Sequence, residues 1–195
     1  MNPYRYVILI SIMFLTFIIM NACCKPESTI LQVGDPAPSF QANDQNGNLW
    51  KLAGHSVKDF IIIYFYPAAM TGGCSKQACG FRDDIANLEK FNVEIVGISA
   101  DPVKNLKVFE TYYNLNFTLL SDIDGNIAKS FGVPAYDGGT ITLEIDGKEI
   151  QLDRSFTFAR WTFIIDKNGI IIYKNTAADA ENDSKNVSEF LQKNK

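Results

Sequence analysis

Residues 60–66, Phe60-Ile-Ile-Ile-Tyr-Phe-Tyr66, are seven apolar or aromatic side chains in succession. Strand side chains alternate between two faces, so a strand of this composition is buried on both, and its sheet needs helices above and below. Pro67 ends the run, having no N–H to give a neighbouring strand. The segment reads as the central strand of an α/β domain.

The segments around it alternate accordingly. Residues 39–42 and 49–52 flank an Asn-Gly turn within residues 43–48 and predict a β-hairpin. Positions 74, 78, 81, 85 and 88 carry Cys, Ala, Phe, Ile and Leu, the 3-4-3-4 spacing of one helical face. Strands are predicted over 93–99, 117–120, 161–166 and 170–173, and helices over 103–113, from Asp124-Gly125 to near Gly132, and over 184–192. A further hairpin is expected between 138 and 152, turning at Asp146-Gly147. Together these describe a three-layer α/β domain with a mixed central sheet.

Composition removes several classes of chemistry. The 195 residues are 47% apolar and 21% charged with a net charge of −4, which is neither a disordered composition nor the basic balance of a nucleic-acid binder. His55 is the single histidine, so imidazole triads and His-rich metal sites have almost nothing to draw on, and it reads as a loop residue. The spacing of Cys74 and Cys79 fits neither Cys-x-x-Cys nor a zinc pair. No metal and no cofactor are expected.

Cys74 opens the helix that follows the central strand, where unpaired N–H groups and the helix dipole favour a thiolate. It shares the core-facing stripe with Phe81 and Ile85, whereas Cys79 lies on the side of Arg82 and Asp83. Five residues along a helix give about 140° of rotation and about 7.5 Å of rise, so the two Cα atoms stand about 8.6 Å apart. Bridged cysteines are rarely beyond about 7 Å. A Cys74–Cys79 disulfide therefore requires the first turns to unwind, as a two-step thiol peroxidase would need; the alternative is a pair of buried structural thiols.

Pro67-Ala-Ala-Met-Thr71-Gly-Gly-Cys74 matches the Pro-x-x-x-Thr-x-x-Cys signature of the peroxiredoxins, and Cys74-Ser-Lys-Gln-Ala-Cys79-Gly-Phe-Arg-Asp83 resembles the peroxiredoxin Q, or bacterioferritin comigratory protein, subfamily. The resemblance runs from residues 33–40 through Arg160-Trp-Thr-Phe-Ile-Ile-Asp166. It implies a thioredoxin-like fold and a thioredoxin-dependent peroxidase acting on hydrogen peroxide and organic hydroperoxides. Cys74 would be the peroxidatic cysteine and Cys79 the resolving one, joined in an intramolecular disulfide that a thioredoxin-like donor resets. Thr71 would orient the peroxide, Pro67 would shield the sulfenic acid, and Arg160 would favour the thiolate and stabilise negative charge as the O–O bond breaks. A monomer or weak dimer is expected. The rival is a membrane-anchored thiol-disulfide oxidoreductase of the thioredoxin superfamily, and a second is a binding module without catalysis.

Three departures from the subfamily pattern stand out. Gly72 replaces a proline and predicts a more flexible loop, and Gln77 replaces a glutamate, removing its charge. The segment 134–159 is longer than usual and reads as an ornamental surface hairpin, with a partner surface or dimer contact as the alternative.

Ahead of the domain, residues 1–22 carry Arg5 as their only charge, and 6–20 are nearly all apolar. That run is short for a spanning helix and fits a signal peptide. Ala22-Cys23 resembles the lipobox of bacterial lipoproteins, with Cys23 as the lipidated residue; an uncleaved signal anchor is the alternative. The expected organisation is a signal peptide or membrane anchor over 1–22, a lipidated polar linker over 23–32 and the domain over 33–195. The domain would be exported and held at the bacterial cell envelope by its N-terminus, since its acidic charge does not draw it to anionic lipid.

Overall fold

A computed structural model of the chain describes residues 31–54 and 57–194. The expected signal segment, Cys23, Cys24, His55 and all but the last two residues of the linker lie outside the described residues. Among the described residues no helix is long and apolar enough to cross a membrane.

The all-apolar run forms β3 (Phe60–Phe65), and its side chains divide between two cores as the lack of alternation requires. Ile62 and Tyr64 face one core, with Tyr66 just beyond the strand, and Ile61, Ile63 and Phe65 face the other. The first core is closed by α1 (Gly72–Leu88), α2 (Val103–Tyr113) and α4 (Asp183–Lys193), which contribute Ala78, Phe81, Leu106, Phe109, Val187 and Leu191. The second is closed by Ala128 of α3 (Asn126–Ser130), by Phe131 just after it and by Phe158.

The sheet has seven strands in the order β2-β1-β5-β4-β3-β8-β9. They are β1 (Gln41–Asp44), β2 (Leu49–Lys51), β4 (Val93–Ser99), β5 (Thr118–Ser121), β8 (Trp161–Asp166) and β9 (Ile171–Asn175), with β3 in the interior between β4 and β8. It is mixed: β3 pairs with β4 in parallel and with β8 antiparallel. Gly97 on β4 lets the two neighbours close up, because a Cβ there would stand 2.7 Å from the Tyr64 ring. The β1–β2 hairpin forms as predicted, its turn held by Asp44 Oδ1 accepting from the N–H groups of Asn46 and Asn48, each at 2.8 Å.

The expected second hairpin is longer than its sequence signal. β6 (Ala135–Ile145) and β7 (Lys148–Phe158) form a separate two-stranded sheet turning at Asp146 and Gly147, whose φ angles of +53° and +72° are those of a type I′ turn. It is not an ornament. Along β7, Leu152, Arg154 and Phe158 are buried on one face, so the hairpin is fastened to the domain by an in-phase row that includes a charge.

Candidate active site

The register of β8 against β3 sets the site. Trp161 pairs with Phe65, so Arg160 lies beside the end of β3, where residues 67–71 lead into α1. Thr71 is the N-cap, extended at φ −91° and ψ 149°, and its carbonyl accepts the first helical bond from the Ser75 N–H at 2.8 Å. The N–H groups of the first turn have no partner inside the helix and point toward the loop. Cys74 sits in that turn, 1% exposed. Its Sγ accepts from the Ala68 N–H at 3.5 Å and from Arg160 Nη2 at 3.4 Å. Gly73 gives the guanidinium room, since a Cβ there would come within 3.3 Å of Arg160 Nη2.

Arg160 is itself held. Its Nη1 donates to Gln77 Oε1, Gln77 Nε2 donates to Asp183 Oδ2 at 2.7 Å, and Thr162 Oγ1 donates to the same oxygen at 2.7 Å. Burial pushes the Asp183 carboxyl up, opposed by the bonds from Thr162 and Gln77 and by the Arg160 charge. The loop is held from the other side. The Ala69 N–H donates to Asp101 Oδ2 at 2.7 Å, and Arg154 spans the Ala69 carbonyl at 3.3 Å and Asp101 Oδ1 at 2.8 Å. Both partners of that ion pair are at most 3% exposed. Between the clamps Met70 adopts φ +65°, a left-handed conformation that a residue with a Cβ holds only under constraint.

The model of the AhpC/TSA family matches residues 33–174, a stretch that contains Cys74, Cys79, the loop and Arg160. The chain belongs to the AhpC/TSA family. It is similar to peroxiredoxin Q, chloroplastic, of Populus jackii, 40% identical over 144 residues that make up 73% of this chain and 60% of that protein. The corresponding protein of Oryza sativa subsp. japonica is 38% identical over 140 residues, 72% of this chain and 57% of its own length. The chain thus spans 57% to 60% of the length of these two relatives. Among solved structures, peroxidoxin BcpB from Mycobacterium tuberculosis superposes with a TM-score of 0.70 at 29% identity, covering 85% of this chain and 99% of that one. The bacterioferritin comigratory protein of Xanthomonas campestris, at 22% identity and a TM-score of 0.66 over 80% of this chain and 91% of its own, shares the fold. The fold is thioredoxin-like α/β, a mixed central sheet between helices.

Of the residues singled out in the sequence, this AhpC/TSA chain brings Pro67, Thr71, Cys74 and Arg160 to one end of β3. Thr71 does not cap α1 with its side chain; its Oγ1 donates to the Ala68 carbonyl at 2.9 Å. Cys79 lies within the same unbroken helix, half-buried, and both thiols are free. Burial pushes the Cys79 thiol up, with Arg82 opposing. Gly72 is exposed at the start of α1, and a Cβ there would meet nothing within 4 Å. Gln77 lost a charge by sequence but gained a structural role as the link between Arg160 and Asp183. Asp101, Arg154, Thr162 and Asp183 were not anticipated. Arg154 had one readable signal, a charge in phase with Leu152 and Phe158 on the buried face of its strand.

Proposed function

We propose that the chain is a thiol-dependent peroxidase with Cys74 as peroxidatic and Cys79 as resolving cysteine. The observation that carries this reading is the buried Cys74 sulfur at the head of α1, met by the Ala68 N–H and the Arg160 guanidinium. A thiolate there attacks the terminal peroxide oxygen; the S–O bond forms, the O–O bond breaks, and the leaving oxygen takes a proton and departs as water or alcohol. Arg160 and the N–H groups of the first turn stabilise the charge that develops on the oxygens. The Thr71 proton is committed to the Ala68 carbonyl, so Thr71 offers the peroxide an acceptor and orients its O–H. Pro67, half-buried beside Ala68, shields the resulting sulfenic acid from water.

The second half of the cycle needs movement. Cys74 and Cys79 stand about 8.6 Å apart in an intact helix, so the first turns of α1 unwind before the Cys79 sulfur attacks the sulfenic sulfur. The S–S bond forms and the sulfenic oxygen leaves as water. A thioredoxin-like dithiol then reduces the disulfide, and the chain works as a monomer or weak dimer.

The rival, a thiol-disulfide oxidoreductase, shares the fold, but the Cys-x4-Cys spacing and the absence of proline in Arg160-Trp161-Thr162 favour the peroxidase. With one dithiol donor, reduction of hydrogen peroxide is expected to outrun reduction of insulin disulfides. Faster insulin reduction would overturn the reading. The apolar run at 6–20 before Ala22-Cys23 supports an exported protein held at the bacterial cell envelope by lipidated Cys23. Mass analysis of the mature N-terminus is expected to find a diacylglyceryl Cys23; an intact Met1 would exclude it.

A further inference from the structure

The head of α4 and the residues just before it fasten onto α1 over the stretch that separates the two cysteines and the turn beyond Cys79. Lys76 pairs with Glu181, Gln77 donates to Asp183, and Gly80 lies against Ser184, where a Cβ would stand 3.2 Å from Ser184 Oγ. One turn further along, Ser184 Oγ donates to Asp84 Oδ2 at 2.6 Å. Asp183 is fully buried, and its Oδ1 has no partner among the described residues, so Oδ2 carries both of its side-chain bonds. A glutamine amide donates at one end and accepts at the other. With Nε2 committed to Asp183, the amide oxygen is the end left for Arg160. Asp183 lies beyond residues 33–174, outside the stretch matched to the family.

We propose that Asp183 is a positioning residue: through Gln77 it aims Arg160 at Cys74, and the same bond ties down the helical turn that must unwind for Cys79 to reach Cys74. The proposal rests on the assignment of Cys74 and Cys79 given above. Its consequence is an opposed effect on the two halves of the cycle. Releasing the bond loosens Arg160 and slows the peroxide step, while freeing the turn speeds disulfide closure.

The test measures both rates in the full-length chain by quenched-flow mass analysis of the sulfenic acid and the disulfide. Asp183→Ala is expected to lower the second-order rate constant for oxidation of Cys74 by hydrogen peroxide about tenfold and to raise the closure rate about threefold, the size of effect of one buried hydrogen bond. Asp183→Asn keeps an oxygen for Gln77 and Thr162 and is expected to restore most of the peroxide rate. Gln77→Met cuts the same link from the α1 side and is expected to reproduce both changes, which keeps the proposal open to refutation should Asp183→Ala not fold. Opposed changes in Gln77→Met, together with a peroxide rate restored by Asp183→Asn, support the relay, since loosening of α1 by itself also speeds closure. A peroxide rate within about twofold of wild type in Gln77→Met, or two rates that fall together, overturns it. A wild-type chain whose Cys74 is not oxidised by peroxide overturns the peroxidase reading, and the relay with it.

Discussion

Cys74→Ser is expected to bring peroxide consumption down to the rate of the dithiol alone, whereas Cys79→Ser consumes a single equivalent and stops. A serine hydroxyl in place of the thiol stays protonated at neutral pH and is a far weaker nucleophile, so neither the Ala68 N–H nor Arg160 has an anion to hold. Cys79→Ser leaves the Cys74 environment intact, because Cys79 stands on another face of α1. Its Cys74 sulfenic acid then lacks a resolving thiol and accumulates, detectable as a mass increase of one oxygen and by a dimedone adduct. Continued catalytic turnover by Cys74→Ser with a dithiol donor would show that the nucleophile lies elsewhere.

The second large effect concerns stability. Arg154→Met removes the cation facing Asp101 and leaves a fully buried carboxylate with only the Ala69 N–H, Ser99 and Asn105 as donors. Breaking one side of such a pair destabilises by about 3–5 kcal/mol, which for a domain of this size lowers Tm by about 10 °C. Thermal unfolding of the variant checks this, and a Tm within about 2 °C of wild type would mean that Asp101 is satisfied without the arginine. Arg154→Lys is expected to recover only part of the loss, because one ammonium cannot reproduce the fork that spans Asp101 Oδ1 and the Ala69 carbonyl. Peroxidase activity falls in Arg154→Met below the melting range too, since the loop before Cys74 has lost one of its two holds.

How much of this was legible in the sequence depended on whether the physics was local. The uninterrupted run at 60–66 fixed the central strand, and the 3-4-3-4 spacing from Cys74 to Leu88 matched the buried face of α1. Asp146-Gly147 announced its turn through the backbone angles those two residues tolerate. The site beyond Cys74 was less readable. Gln77 and Asp183 are 106 residues apart, and only the packing of α4 on α1 makes them neighbours. Asp101 carries no local mark of its partner 53 residues later. The hairpin's length was underestimated because the first half of β6, residues 135–140 at the base of the hairpin, is exposed on both faces and lacks the alternation that reveals a half-buried strand.

The division of the interior by the sheet has a consequence for wear over many catalytic cycles. In the proposed cycle each disulfide would disturb α1, and α1 packs into the core that holds Tyr64, Phe81 and Phe109, whereas Phe65, Phe131, Phe158 and Phe163 lie behind the strands. The sheet acts as a bulkhead. On the proposed cycle, the core behind the sheet is expected to stay assembled in both redox states with the loop pinned through Arg154, so that reduction has only to redock a few turns of α1.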